Sequence, residues 1–252
     1  MILRRAAEAF RKQDWATITI EFLVVVAGIF VGLQVNDWSQ ERQDRAGERA
    51  ALQRLFVEMQ NAYADLNDFN ARDERLIGLR RQAIAFVDSD DPLPENDLPL
   101  KIGINTLAQF PAITPVTAVF EELKSSGRLQ LIQNSDLRVE LAKFHTGLDW
   151  LNTMRAQFAA GTDTFWVAYQ RNVKWAYNPE SNTTDILVST YDWDGLRSDD
   201  QFKFAAIGLL RNQLVANRGL MELQEWAAST CVAIGEEIGQ ACALETDSND
   251  GP

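Results

Sequence analysis

Residues 21–38 read EFLVVVAGIFVGLQVNDW, an apolar run that opens on a glutamate and carries two glycines four apart. From Trp15 to Asn36 there are 22 residues and one charge, Glu21. As a helix rising about 1.5 Å per residue, this stretch covers about 33 Å, close to the thickness of a bilayer core. Within residues 1–12, Arg4, Arg5, Arg11 and Lys12 stand against Glu8 alone, with Asp14 following, whereas the chain after residue 36 holds 20 of the 24 basic and 33 of the 36 acidic residues. The positive-inside rule then predicts a cytoplasmic N-terminus and a chain that leaves the cytoplasm after about residue 37. Trp15 and Trp38 bracket the run as interfacial aromatics do. A cleaved signal peptide is a competing reading, but no small-x-small site follows the run, which continues as QVNDWSQERQ. A buried helix of a soluble protein is the other, and the all-round apolarity argues against it.

At 100° per residue, Val25, Gly28, Gly32 and Asn36 fall within about 60° of Glu21 on a helix. Small residues four apart let two helix backbones approach closely. A carboxyl in the span costs about 2.5–3.5 kcal/mol at the bilayer centre and less toward the edge. Glu21 lies about 9 Å in from Trp15 by the helical rise. One reading makes Glu21, Val25, Gly28, Gly32 and Asn36 a helix–helix contact, with a second copy or with another membrane protein. The other leaves the glycines incidental and lets Glu21 snorkel toward the cytoplasmic interface.

The pattern IEFLVVVAGIFVGLQVNDWSQE resembles the N-terminal signature of an uncharacterised bacterial family of single-pass membrane proteins, a domain of unknown function. The matching positions are Glu21, Gly28, Gln34, Asn36 and Trp38. Ile20 stands where that family carries a glycine, and Phe22 is bulkier than its usual residue. FEELKSSGRLQLIQNSDLRVEL, residues 120–141, is similar to a second signature of the group. Together these stretches cover about a fifth of the chain. The resemblance implies a membrane-anchored helical protein and supplies no activity.

Beyond the span no helix breaker intervenes. Leu52, Leu55, Phe56, Met59, Ala62, Tyr63, Leu66 and Phe69 recur at three and four, so the membrane helix is expected to run on to about Val87. The charged part from Glu41 to Arg49 has no apolar stripe and reads as a solvated stalk, and the whole helix as a rod of about 110 Å. DSDDPLPENDLP, residues 88–99, is the break. Short helices are expected over 97–109 and 115–127, with Pro115 in a first turn after Thr114 and Gly127 as a left-handed stop. Asn134-Ser135-Asp136 caps a long helix reaching about Val173. Ser198 or Asp199 caps a last helix over about 199–240, with Phe202, Ala206, Leu209, Leu210, Leu214, Leu220, Leu223 and Trp226 on its apolar face. A strand is considered only at Ile186–Tyr191. The expected fold class is all-α: a basic N-terminus (1–14), a transmembrane helix (15–36), a stalk and first bundle helix (37–88), an antiparallel helical bundle (89–240) and a disordered acidic tail (241–252).

Chemistry is sparse. The single histidine, His145, excludes a multi-histidine zinc site and has no strained serine elbow to serve, so it reads as a helix-face residue. Lys124-Ser125-Ser126-Gly127 reads as a helix end. Asp192, Asp194, Asp199 and Asp200 with Gly195 meet only the first alternation of a calcium loop and read as a turn with a helix cap. No metal or cofactor is therefore expected. Cys231 and Cys242 would lie about 16 Å apart on one straight helix, too far to bond, unless Gly235 and Gly239 break it; otherwise they are two small core thiols. The aromatics Trp150, Phe158, Phe165, Trp166, Tyr169, Trp175 and Tyr177 read mainly as bundle core, with a partner or ligand surface as the alternative beyond Trp166.

The net charge of −12 sets nucleic acid aside as a partner. The expectation is a non-enzymatic protein of the bacterial inner membrane with a periplasmic domain, an accessory subunit of the envelope that associates through its membrane helix. The alternative is a periplasmic ligand-binding sensor. With about 14 residues on the cytoplasmic side it would need a separate signalling partner.

Overall fold

The computed structural model describes residues 15–111, 113–180 and 187–244, without the side chains of 15–19, 21 and 187. The basic N-terminus and the acidic tail after residue 244 lie outside the described residues. The chain is 79% helical and all-α, with one two-stranded hairpin among the described residues. Its elements are α1 (Trp15–Val87), α2 (Leu98–Thr106), α3 (Ala118–Ser125), a 3-10 turn (Arg128–Leu131), α4 (Ser135–Gly161), α5 (Asp163–Asn172), β1 (Val173–Tyr177), β2 (Leu187–Tyr191), α6 (Trp193–Ser198) and α7 (Asp200–Ile238). Two compact units divide the chain, residues 1–51 and 52–252.

In the first unit every large apolar side chain from Ile20 to Val35 is exposed, from 43% at Val26 to 65% at Phe22 and Val24. It holds one helix long and apolar enough to cross a membrane. After it the surface turns to charge. The Arg42 guanidinium sits 4.1 Å over the Trp38 ring, and Arg45 pairs with Glu41 at 3.4 Å one turn away.

The second unit is built on three helices: the 52–87 part of α1, α4 and α7. The contacts Asn67–Gln224, Asp73–Asn217 and Phe56–Gly235 run in opposite order along α1 and α7, so these two are antiparallel. Asn134–Glu237 and Trp150–Gly219 make α4 antiparallel to α7 as well. Leu55, Met59, Ala62 and Leu66 are buried at the expected helical spacing, as are Leu220 and Leu223 on α7, while Phe202, Ala206 and Leu209 of α7 share a core cluster with Ala83, Phe86 and Val87 at the far end of α1.

The caps explain several boundaries. The Asn134 side chain accepts from Asp136 N at 3.0 Å and Leu137 N at 3.1 Å, which fixes the start of α4. Gly127 sits at φ +69°, where a side chain would be strained, directly after α3. The expected start of α3 near Pro115 moves to Ala118, because its end is capped from afar. Thr117 makes no side-chain cap bond. The carboxylate of buried Glu58 on α1 instead accepts from Val119 N at 2.7 Å and Phe120 N at 3.2 Å. Burial pushes the Glu58 carboxyl up, against those two amides, which favour the charged form.

The single helix expected from 134 to Val173 is two. Thr162 N bonds back three residues to Ala159 O, tightening the last turn of α4, and Asp163 opens α5. The end of that stretch is then a strand: β1 pairs antiparallel with β2, Val173 against Tyr191 and Trp175 against Ser189. The hairpin is fastened to α2 through Asn105, whose side-chain oxygen accepts from Tyr169 and Tyr191, each at 2.6 Å.

At the C-terminus α7 runs through Gly235 to Ile238 and turns at Gly239, φ +73°. Gln240 N bonds Gly235 O at 2.8 Å, and a Cβ on Gly235 would come within 2.4 Å of Gln240 O. This turn brings the cysteines together: Cys231 and Cys242 are disulfide-bonded, Cα to Cα 5.9 Å. Closing a loop of 11 residues is worth about 2–3 kcal/mol in the chain-entropy account. Reduction should lower the urea midpoint accordingly, while a Cys231→Ala/Cys242→Ala chain should not respond to reductant. An unchanged midpoint of the native chain on reduction would count against this.

Candidate functional sites

The membrane stripe comes first. Val25, Gly28, Gly32 and Asn36 are exposed along α1, and the Glu21 side chain lies outside the described residues. A Cβ built on Gly28 or Gly32 meets nothing within 4 Å, so nothing within the described chain fills the two notches. Two glycines open a shallow groove on a helix whose flanks are Val25, Ile29 and Val35. Such a surface suits close backbone approach of another helix in lipid.

The second site is a cleft of about 500 Å³ between α4 and α7. Its walls are set by two tryptophan–glycine pairs. A Cβ on Gly147 would come within 2.7 Å of both Leu223 Cδ2 and Trp226 Cζ3, and one on Gly219 within 2.4 Å of Trp150 Cζ3. Each indole therefore lies over bare backbone of the opposite helix, in space that any side chain there would occupy. Trp150 remains 41% exposed. Val215 and Leu223 complete an apolar floor, and Lys143, Arg218 and Glu222 stand at the rim. Lys143 Nζ lies 5.1 Å from the Trp226 ring centroid, and Arg218 Nε is 3.4 Å from Glu222. Trp150 and Trp226 are the functional candidates that periodicity assigned to core. The overlooked signal was a Trp and a Gly close on each of two helices, one turn apart at Gly147/Trp150 and two turns apart at Gly219/Trp226.

The other aromatics divide. Phe158, Phe165 and Tyr169 are core. Trp175 and Tyr177 ride on β1 and are exposed at 52% and 68%. Of the four aspartates considered for calcium, Asp192 and Asp199 are used locally. Asp192 accepts from Gly195 N and caps α6, while Asp199 accepts from Phe202 N, caps α7 and pairs with Arg171 at 3.0 Å. Among the described residues no three His, Cys, Asp or Glu side chains are placed to hold a metal ion.

His145 lies on the buried face of its helix. Its ring stacks on Phe120 at 3.4 Å, Phe144 meets it edge-on, and Nε2 has no partner among the described residues. Burial, with a contribution from Lys124, lowers it to about 4. The folded pKa lies below the unfolded one, so the neutral imidazole contributes stability above about 6.5 that is lost as pH falls from there toward 4. Allowing for residual solvent at the ring, the loss should be about 2 kcal/mol. His145→Phe, which keeps a ring on Phe120, should flatten the unfolding midpoint between pH 6.5 and 5. A variant with the native slope would show that other groups carry it.

Comparison of the chain with protein-family models, with curated proteins and with solved structures returns no match.

Proposed function

We propose that this chain is a single-pass inner-membrane protein of the bacterial envelope, with a cytoplasmic N-terminus and a periplasmic helical domain. We propose that it works without catalysis, as an accessory subunit that associates through the Gly28/Gly32 stripe, and that it belongs with the single-pass group its signature residues resemble. The observation that carries the reading is the all-round exposure of the apolar side chains from Ile20 to Val35. Leaving that surface in water costs about 25 cal/mol per Å², and a bilayer is the medium that relieves it. The asymmetry of charge about the span supports the orientation. The Cys231–Cys242 disulfide supports an oxidising compartment for the domain.

Photo-crosslinking in cells tests the association, with the probe at Gly28 or Gly32 and a control at Phe30 on the opposite side of the helix. The expected result is one adduct specific to the glycine sites, at twice the chain mass or at the chain mass plus that of another membrane protein. Glu21→Ala should leave insertion intact and weaken that adduct. Equal labelling from Phe30, or none from either glycine, would reduce the helix to an anchor.

A further inference from the structure

We infer that the cleft between α4 and α7 binds a single-chain aliphatic anion, a fatty carboxylate, with its chain against Trp150 and Trp226 and its headgroup at Lys143 and Arg218. The inference goes beyond the membrane stripe and uses none of its residues. A cleft of about 500 Å³ is the size of a small-molecule site. Its floor offers indole rings, Val215, Leu223 and two stretches of glycine backbone, with no buried polar side chain for a sugar or a peptide to satisfy. Both tryptophans stay partly open to solvent although their position over Gly147 and Gly219 fixes them closely. That arrangement leaves apolar surface ready to be covered.

Charge selects the headgroup. In a chain of net charge −12 the rim carries two cations and one acid. Glu222 engages Arg218 through Nε alone, so the guanidinium's remaining donors have no partner among the described residues. Lys143 has an exposed pair with Glu140 at 3.8 Å and lies over the Trp226 ring, on the cleft side. Both heads are on flexible stems and can close on a carboxylate, whereas a cationic amphiphile would meet two like charges.

The test uses the full chain in nanodiscs of zwitterionic lipid, free of detergent. The probes are a diazirine-bearing palmitate and the same chain as a neutral alcohol, with adducts mapped to peptides. Palmitate should label the α4 and α7 peptides holding Trp150 and Trp226, and unlabelled palmitate should compete. Lys143→Glu/Arg218→Glu should cut this labelling about ten-fold, the sum of two rim contacts of about 0.7 kcal/mol each. The same variant should leave labelling of residues 22–35 by bilayer-dissolved probe unchanged. Three results would overturn the inference: palmitate adducts no denser in the cleft than elsewhere, equal cleft labelling by the alcohol with no effect of charge reversal, or adducts joining two copies of the chain through the cleft.

Discussion

Asp73→Ala should destabilise the helical domain by about 3–5 kcal/mol, because it strands a charge in the protein interior. Arg80 is 1% exposed and Asp73 3%, and they pair at 3.3 Å about two helical turns apart on α1. Burial works against the charge on Arg80, and the Asp73 carboxylate is what opposes that effect. The rest of the pair's hydrogen bonding reaches across the domain. Arg80 Nε donates to Thr106 Oγ1 at 3.2 Å, and Asn217 Nδ2 donates to Asp73 Oδ2 at 3.2 Å. Removing Asp73 therefore leaves a guanidinium and an amide unanswered. Replacing both partners by apolar residues, Asp73→Leu/Arg80→Met, should recover most of the loss, since a buried pair adds little over a well-packed apolar one. Urea unfolding of the full chain, followed by tryptophan emission, reads both. A single variant within about 1 kcal/mol of the native chain would mean that water reaches the pair.

Gly103→Ala and Gly78→Ala should act in opposite directions. A Cβ on Gly103 would stand 2.3 Å from the backbone oxygen of Leu79 and 2.6 Å from Ala83 Cβ. The backbone of α1 cannot swing aside as a side-chain tip can, so α2 must move off it, at about 2–3 kcal/mol. Gly78 lies on the exposed side of α1, and a Cβ there meets nothing within 4 Å. Alanine at that position should stabilise by about 0.5–1 kcal/mol through helix propensity alone. The same urea measurement decides. Equal effects at the two glycines would show that α2 does not pack on α1 as closely as described.

The all-α class was legible because apolar spacing and caps agree. Leu55, Met59, Ala62 and Leu66 are buried in register, and Asn134 and Gly127 punctuate the chain where their chemistry places them. What periodicity misses is polar burial. On α7 the fully buried position is Gln213, while Leu210 and Leu214 are only half-buried. Its amide nitrogen donates to the carbonyls of Thr106, Leu107 and Gln109, at and just past the end of α2, where helical partners run out. Asn70, Asp73, Arg80 and Asn217 extend the same polar seam between α1 and α7. A pattern that counts only apolar residues sees none of it. The strand β1 was hidden for a related reason: its aromatics continue a helix-like series, and its pairing partner lies across a loop. The Trp150 and Trp226 cleft depends on which glycine faces which indole, a tertiary fact with only a weak trace in the chain. The stripe of Glu21, Val25, Gly28, Gly32 and Asn36 is the reverse case. It is an expectation from spacing alone, to which the structure adds that a Cβ on Gly28 or Gly32 meets nothing within 4 Å in the described chain.

Membrane orientation is the claim on which the rest of the functional reading stands, and a pair of reporter cysteines tests it most directly. Cys231 and Cys242 are bonded to each other and leave a silent background toward maleimides. A membrane-impermeant maleimide applied to intact spheroplasts should label Gln40→Cys at once and Ala6→Cys only after lysis. The reverse order, or immediate labelling of both positions, would contradict a span between them with the N-terminus inside.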